Sequence, residues 1–144
     1  MRNTPTYKVP TMRSSTFALL LGAMLATFAG TAAAGDIYVI CSAGVTLQAS
    51  EIRDVFLGEK GFAGSTKLTP ADNSAAQAAF LEKVLKLDAV KYAGIWTKKS
   101  FRDGANPPAV KSSDAEAIAF VKATPGACSY LTSEPAGVTV VAKF

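Results

Sequence analysis

The chain has 144 residues, carries 15 Lys plus Arg against 11 Asp plus Glu, and contains no histidine. The missing histidine excludes a His-based catalytic triad and a His-rich metal site, and two cysteines provide too few ligands for a metal centre. The sequence therefore predicts a protein that is not an enzyme and that needs neither a metal nor another cofactor.

Residues 1–34 have the layout of a secretory signal peptide, with a basic start, an uncharged apolar run over 17–28 and small residues up to Ala34. An uncleaved membrane helix is the alternative, but the apolar run is shorter than the roughly 18 residues of a membrane span. We expect cleavage after Ala34 and no stable membrane insertion of the remaining chain. The predicted location is periplasmic or secreted.

The excess of positive charge belongs largely to this segment. Three basic residues and no acidic one lie before Gly35, which leaves 12 basic and 11 acidic residues in the remaining 110. A nearly neutral domain gives no support for nucleic-acid binding, so no such partner is expected. The length suits a single compact domain over 35–144.

The first half of this domain alternates between strand and helix patterns. Residues 37–40 are apolar and rich in β-formers, which predicts a buried strand. Ser50 is predicted to cap a helix that ends at Gly58. A weak strand is expected over 66–69, stopped by Pro70.

Three further helices and two strands are predicted after Pro70. The first helix opens with the capping-box pattern of residues 74–77. Asp88 is predicted to cap the second, in which Trp96 is expected to be a core residue rather than a stacking platform. A second capping box over 113–116 opens the third helix, and strands follow over 127–131 and 138–142. This order predicts an α/β sandwich of two or three layers, with a small mixed sheet flanked by helices.

Cys41 and Cys128 are the only two cysteines of the chain. In an oxidising compartment they are expected to form a disulfide, which places the first strand beside the segment around Cys128 because bridged Cα atoms lie within about 7 Å. Two buried free thiols are the alternative, since cysteine is also a common core residue.

A series of short motifs in a fixed order carries a family resemblance. The motifs are Phe56-Leu57-Gly58, Pro70 with a polar helix start, Phe80, Trp96, Phe101, Gly104, Pro107-Pro108 and Pro125-Gly126-Ala127-Cys128-Ser129-Tyr130. Over nearly all of 35–131 the chain resembles the small single-lobed relatives of the phosphate-binding component of ABC transporters, in the type II periplasmic binding protein class. The resemblance implies one lobe of a periplasmic binding protein-like fold that binds a small oxyanion, typically phosphate.

Two pairs of residues are candidates for contact with such an anion. Asn73 and Ser74 lie at a predicted helix start, where N–H groups and the helix dipole favour an anion. Ser42 and Gly44 follow the first strand, where ligands of open α/β sheets bind. A helix cap for the first pair and a tight turn for the second are the alternatives. Asp72, next to the first pair, would repel a dianion.

Two hypotheses for the function result. The first is an exported solute-binding-like protein that binds an oxyanion such as phosphate in connection with an ABC-type transport system. The second is a single-lobed interaction module of the cell envelope that binds no small ligand. A single lobe offers only half of a cleft, whereas binding pockets surround most of a ligand. A homodimer or an envelope protein partner is therefore expected to complete the site.

Overall fold

A computed structural model describes residues 35–144, and the predicted signal peptide lies outside the described residues. The strands are β1 (Tyr38–Cys41), β2 (Phe62–Ala63), β3 (Thr66–Lys67), β4 (Thr69–Asn73), β5 (Ala109–Lys111), β6 (Ala127–Leu131) and β7 (Thr139–Lys143). The helices are α1 (Ala49–Phe56), α2 (Gln77–Phe80), which continues as a π-helical segment over Leu81–Leu85, α3 (Ala89–Asp103) and α4 (Asp114–Ala123).

Five of the strands form one mixed sheet in the order β5-β4-β6-β1-β7, and β2 and β3 form a small separate hairpin. β4 pairs in parallel with both β5 and β6, whereas β1 is antiparallel to its neighbours β6 and β7. The carboxyl ends of β4, β5 and β6 therefore share one edge of the sheet, and the carboxyl end of β1 lies at the opposite edge.

Alternate residues of the central strands are buried on opposite faces of this sheet. Ile40 and Leu131 belong to an apolar cluster with Ala117 and Val121 of α4. The larger cluster on the other face holds the buried apolar residues of α1, α2 and α3, and within it the rings of Phe80 and Tyr130 stack 3.8 Å apart. Helices on both faces make three layers, which confirms the predicted α/β sandwich.

The disulfide between Cys41 and Cys128 is present and joins β1 to β6. The two residues face each other in the antiparallel register, with a Cα–Cα distance of 4.1 Å. Ser42 N–H donates to the carbonyl of Ala127 one residue further along, so the cysteines occupy a non-hydrogen-bonded pair, where side chains lie closest. The prediction that the first strand lies beside the segment around Cys128 is thus confirmed.

Most of the predicted helices are confirmed, but two of their caps are wrong. α1 starts one residue before Ser50, and the N–H of Gln48 donates to Glu51 Oε2 at 2.7 Å across its first turn. The predicted box at Ser74 does not form, because the backbone turns through residues 74–76 and α2 begins only at Gln77. Asp88 and Ser113 do cap α3 and α4, accepting hydrogen bonds from Lys91 and Glu116.

Pro70 lies inside β4 and does not stop the strand as predicted. Thr69 N–H donates toward β6, to the carbonyl of Gly126. Since successive N–H positions of a strand point to opposite sides, the nitrogen of Pro70 faces the β5 side, where pairing begins only at Ala71. No ladder hydrogen bond is lost. β5 itself was not among the predicted strands.

Candidate functional site

The carboxyl ends of β4 and β6 meet the start of α4 at one edge of the sheet. We call this place the sheet-edge crevice and define it by Asn73, Asp114, Thr132 and Ser133. The chain leaves β4 toward β5 on one side and leaves β6 toward β7 on the other, so the connections diverge between β4 and β6. Crevices of this kind are where open α/β sheets bind ligands.

The carboxylate of Asp114 fills the sheet-edge crevice. Its Oδ1 accepts from Asn73 Nδ2 at 2.7 Å, and its Oδ2 accepts from the N–H and the hydroxyl of Thr132 at 3.1 and 2.8 Å and from the Ser133 hydroxyl at 3.2 Å. Partial burial works against ionisation, but the hydrogen bonds from Thr132, Asn73 and Ser133 outweigh it and hold the pKa of Asp114 below its usual value. The carboxylate of Asp114 therefore occupies the hydrogen-bond donors that the chain offers at this edge of the sheet.

The two candidate anion contacts at this edge, Asn73 and Ser74, both make hydrogen bonds within the chain. Asn73 is fully buried, and besides Asp114 its Nδ2 donates to the carbonyl of Tyr130 at 3.0 Å while its Oδ1 accepts from Ala75 N–H at 3.1 Å. Ser74 is exposed, and its N–H donates to the carbonyl of Lys111. Both protons of Asn73 Nδ2 and one lone pair of its Oδ1 are thus engaged within the chain.

Ser42 and Gly44 lie at the opposite edge of the sheet, so the structure does not bring the two predicted pairs together. Ser42 Oγ accepts from Gly126 N–H at 2.7 Å, and Gly44 has a φ of 84° in the loop after β1. A cavity of about 420 Å³, the Ser42 cavity, opens beside them. Its lining includes Lys122 and the hydroxyl residue Thr139, with no carboxylate among the described lining residues.

A third place, which the sequence did not reveal as a site, surrounds Asp72 of β4. Asp72 is only 3% exposed. Its Oδ1 accepts from the hydroxyls of Tyr92 and Tyr130, each at 3.0 Å, and its Oδ2 accepts from Tyr92 at 3.1 Å and more weakly from Gln77 Nε2 at 3.4 Å. Burial raises the pKa of Asp72 to about 6, although the hydrogen bonds from Tyr130, Tyr92 and Gln77 lower it.

Asp72 and Gln77 line a groove of about 390 Å³ between α3 and the loop before β5, which we call the Asp72 groove. The remaining lining residues are apolar or carry at most a hydroxyl or an indole N–H: Ala89, Tyr92, Ala93, Trp96, Thr97, Ser100, Pro107, Pro108 and Val110. None of these described residues is cationic, so the charge of Asp72 has no counter-ion in the groove.

Trp96 lies in the wall of the Asp72 groove with its side chain 6% exposed, which confirms it as a core residue. Its six-membered ring abuts Gly58, since a Cβ at that glycine would lie 2.8 Å from Trp96 Cη2. Burial and the neighbouring carboxylate of Asp72 raise the pKa of the Tyr92 hydroxyl, and the indole N–H of Trp96, which faces that hydroxyl, lowers it in part. Nε1 itself has almost no solvent-accessible surface and no partner of regular hydrogen-bond geometry within residues 35–144.

Comparison with protein-family models and with curated proteins gives no match to this chain. The resemblance to the phosphate-binding component of ABC transporters therefore stays a prediction. Within the described part of the chain, no cluster of three or more Cys, Asp or Glu residues is arranged to hold a metal ion. Over the same residues, each helix is too short or too polar to cross a membrane.

Proposed function

We propose that residues 35–144 form a non-enzymatic binding domain of an exported protein, and that its ligand lies in the Asp72 groove and not at the sheet edge. The observation that carries this proposal is the Asp114 carboxylate, which already accepts four hydrogen bonds in the sheet-edge crevice. An oxyanion at that place would have to displace a like charge from its own donors, at a cost in both hydrogen bonds and Coulomb energy.

The Asp72 groove has the character of a small-ligand site. Such sites are concave, mostly apolar, and hold a few polar groups that orient the ligand. The groove combines apolar walls, including the stiff Pro107-Pro108 pair, with the buried carboxylate of Asp72 and the side chains of Gln77, Thr97 and Ser100. These features support a ligand site there, independently of the resemblance that predicted an anion.

The disulfide supports the proposal of an exported protein, since disulfides persist in oxidising compartments. The link to an ABC-type transport system rests on the sequence resemblance alone. The same holds for the homodimer or the envelope protein partner that would complete a half-cleft. These parts of the proposal set the partners with which the purified chain should be tested.

Titration distinguishes the Asp72 groove from the sheet-edge crevice. Trp96 is the only tryptophan of the chain and lines both the Asp72 groove and a cavity beside Gly58 and Pro70, so its emission reports on these two places. We expect phosphate and sulfate to give no heat in calorimetry, and a panel of small neutral and charged solutes to include compounds that change Trp96 emission. Ala93 is exposed and lines the groove, so Ala93→Leu should lower the affinity for those compounds. Phosphate binding that Ser74→Ala weakens would place the ligand at the sheet edge instead.

Oxyanion binding in the Ser42 cavity is the second candidate function. The observation in its favour is Lys122, a cation beside the hydroxyls of Ser42 and Thr139 in a cavity whose described lining has no carboxylate. In this case the wild-type chain would give a heat of binding with phosphate, and Lys122→Ala would abolish it. Lys98→Ala, at an exposed position away from the cavity, is the control and should leave the heat unchanged. Trp96 emission would stay constant throughout, and silence of the wild-type chain toward phosphate and sulfate would eliminate this candidate.

A further inference from the structure

The outward side of α3 carries large apolar side chains that no other part of the described chain covers. Val90 is 82% exposed and Phe101 is 90% exposed, the two highest values among the large hydrophobic residues within 35–144. Surface helices of globular proteins ordinarily present charged or polar residues on the side opposite the core. The packing of the domain itself therefore gains nothing from either side chain.

Helical spacing places these two residues on one stripe. α3 buries Tyr92 and Trp96 on its inner side. Positions 90, 94, 97 and 101 lie on the opposite side, because residues three, four and seven apart share a helix face. From Val90 to Phe101 the stripe is roughly 16 Å long at 1.5 Å per residue. Small residues in its middle leave room for the backbone of another helix to approach.

The stripe continues into the Asp72 groove. Ala93 and Thr97 line this groove, and Val110 on the edge strand β5 lines it from the other side and is 62% exposed. We call the combined area the α3 surface and define it by Val90, Ala93, Gly94, Thr97, Phe101 and Val110. Exposed apolar surface that extends over several residues marks contact with another molecule.

The charges beside the α3 surface restrict what that molecule is. Lys91, Lys98 and Arg102 lie along one flank of the stripe, since they too are four or seven positions apart. Lys91 and Arg102 pair with Asp88 and Asp103 in exposed ion pairs, which contribute little energy. Lys98, in the middle of the flank, has no ion-pair partner within 35–144. A partner with acidic residues along this flank would complement it.

A second copy of the chain does not supply that acid. In an antiparallel pair of α3 helices Lys98 would meet the basic flank of the other copy, where like charges repel. In a parallel pair it would meet the Asp72 groove, whose one carboxylate among the described lining residues is only 3% exposed. A flat lipid surface would leave the concave groove unfilled beside the stripe, whereas a helix can cover both.

We propose that the α3 surface binds an amphipathic helix of another protein, with the apolar side of that helix on the stripe and acidic residues along the flank that meets Lys98. Val90 and Phe101 are the apolar anchors at the two ends, and Lys98 fixes the orientation. The inference goes beyond the proposed function, because it requires no small ligand in the Asp72 groove.

Three synthetic peptides of about five helical turns test the chemistry of the partner. The first has leucine along one side and glutamate on both flanks, the second has lysine in place of every glutamate, and the third has glutamine in place of every leucine. Each carries fluorescein, and its anisotropy is measured with the purified chain at low ionic strength. We expect saturable binding of the first peptide, weakened by salt, and at least about tenfold weaker binding of the other two.

Exposed positions provide variants that leave the core intact. Phe101→Ala should lower the affinity for the leucine–glutamate peptide by about five- to thirtyfold, because a ring that binding would bury is lost. Lys98→Glu should reverse the preference between the glutamate and lysine peptides. Val140→Ala, on β7 at the other edge of the sheet, and Lys122→Glu, on α4 across the sheet, are the matched controls and should bind like the wild type.

Each other outcome would overturn the proposal. A dimer in analytical ultracentrifugation that Phe101→Ala dissociates would assign the α3 surface to a second copy. Binding to phosphatidylglycerol vesicles that Phe101→Ala reduces, without binding of the peptides, would assign it to a membrane. Equal binding of the glutamate and lysine peptides, or of the wild type and Phe101→Ala, would remove the complementarity. Failure of all three peptides would exclude the helix partner, while the solute titrations would still decide the Asp72 groove.

Discussion

Asn73 Nδ2 donates to Asp114 Oδ1 at 2.7 Å, a hydrogen bond between residues 41 positions apart that ties the end of β4 to the start of α4. Through this bond a carboxylate of the chain itself occupies the crevice where a parallel sheet offers its donors. The place at which open α/β sheets commonly bind ligands is thus filled from within the domain and contributes to its stability.

Removal of the Asp114 carboxylate should leave its donors unsatisfied. For Asp114→Ala we expect a loss of about 1–3 kcal/mol in the free energy of unfolding, because Asn73 Nδ2 is buried and loses an acceptor. Formate or acetate should restore part of this loss by entering the vacated place, as measured by urea unfolding. Chloride at equal ionic strength and the wild-type chain are the controls. A variant as stable as the wild type, with no response to formate, would contradict the internal-anion account.

Asp72 should make the stability of the domain depend on pH. Its pKa is raised to about 6 in the folded chain from an ordinary value of 3.8, so the folded state binds more protons than the unfolded state between these values. The free energy of unfolding therefore falls as pH rises through this window, because the buried carboxyl group becomes charged. The loss amounts to about 3 kcal/mol and is nearly complete above about pH 6. Urea unfolding at about pH 4 and pH 7 measures this loss.

Asp72→Asn separates the contribution of Asp72 from that of other carboxyl groups. The difference in unfolding free energy between the wild type and Asp72→Asn should change with pH in the direction just given. Asp54→Asn, which removes an exposed carboxylate from α1, is the control, and its difference in unfolding free energy from the wild type should not show this change with pH. If the wild type and Asp72→Asn keep a constant difference from pH 4 to pH 7, the raised pKa is wrong.

The sequence predicted the layers of the fold because its strands and helices have clear local signals. Asp88 and Ser113 cap helices through contacts with residues three positions ahead, which a sequence pattern can reveal. Pro70 and Ser74 were misjudged because their behaviour depends on neighbours distant in sequence. The strand tolerates Pro70 only because β5 starts pairing at Ala71, and the carbonyl of Lys111 accepts from Ser74 N–H.

The candidate site was less predictable, since its groups come together only in the folded chain. Tyr92 and Trp96 lie one helical turn apart on α3, a spacing that places them on the same face of the helix. The position of Asp72 against Tyr92 depends on how α3 packs on β4, and Tyr130 reaches the same carboxylate from a strand 58 residues further along. Asp114 lies in the first turn of α4, where an acid is expected from the helix dipole alone, and its partners Thr132 and Ser133 follow a different strand.

The disulfide should contribute a large part of the stability of the domain. Cys41 and Cys128 are 87 positions apart, and closing a loop of this length lowers the entropy of the unfolded chain by an equivalent of about 4.5 kcal/mol. The double variant Cys41→Ala/Cys128→Ala should lose up to this amount in urea unfolding, and dithiothreitol should destabilise the wild type but not the variant. Equal stability of the oxidised and reduced wild type would show that the bridge contributes nothing.

Two glycines around Trp96 form a matched pair for the packing of the groove wall. Gly58 has a φ of 71°, and an added Cβ would lie 2.8 Å from Trp96 Cη2, so Gly58→Ala should destabilise the chain by about 1–3 kcal/mol and shift Trp96 emission. Gly94 lies inside α3, and an added Cβ there would have no atom within 4 Å apart from its chain neighbours and the adjacent backbone of the helix. Gly94→Ala should therefore stabilise the chain by about 0.5–1 kcal/mol, because alanine restricts the unfolded backbone. Thermal unfolding followed by Trp96 fluorescence measures both changes, and equal effects of the two substitutions would contradict the contact between Gly58 and the indole.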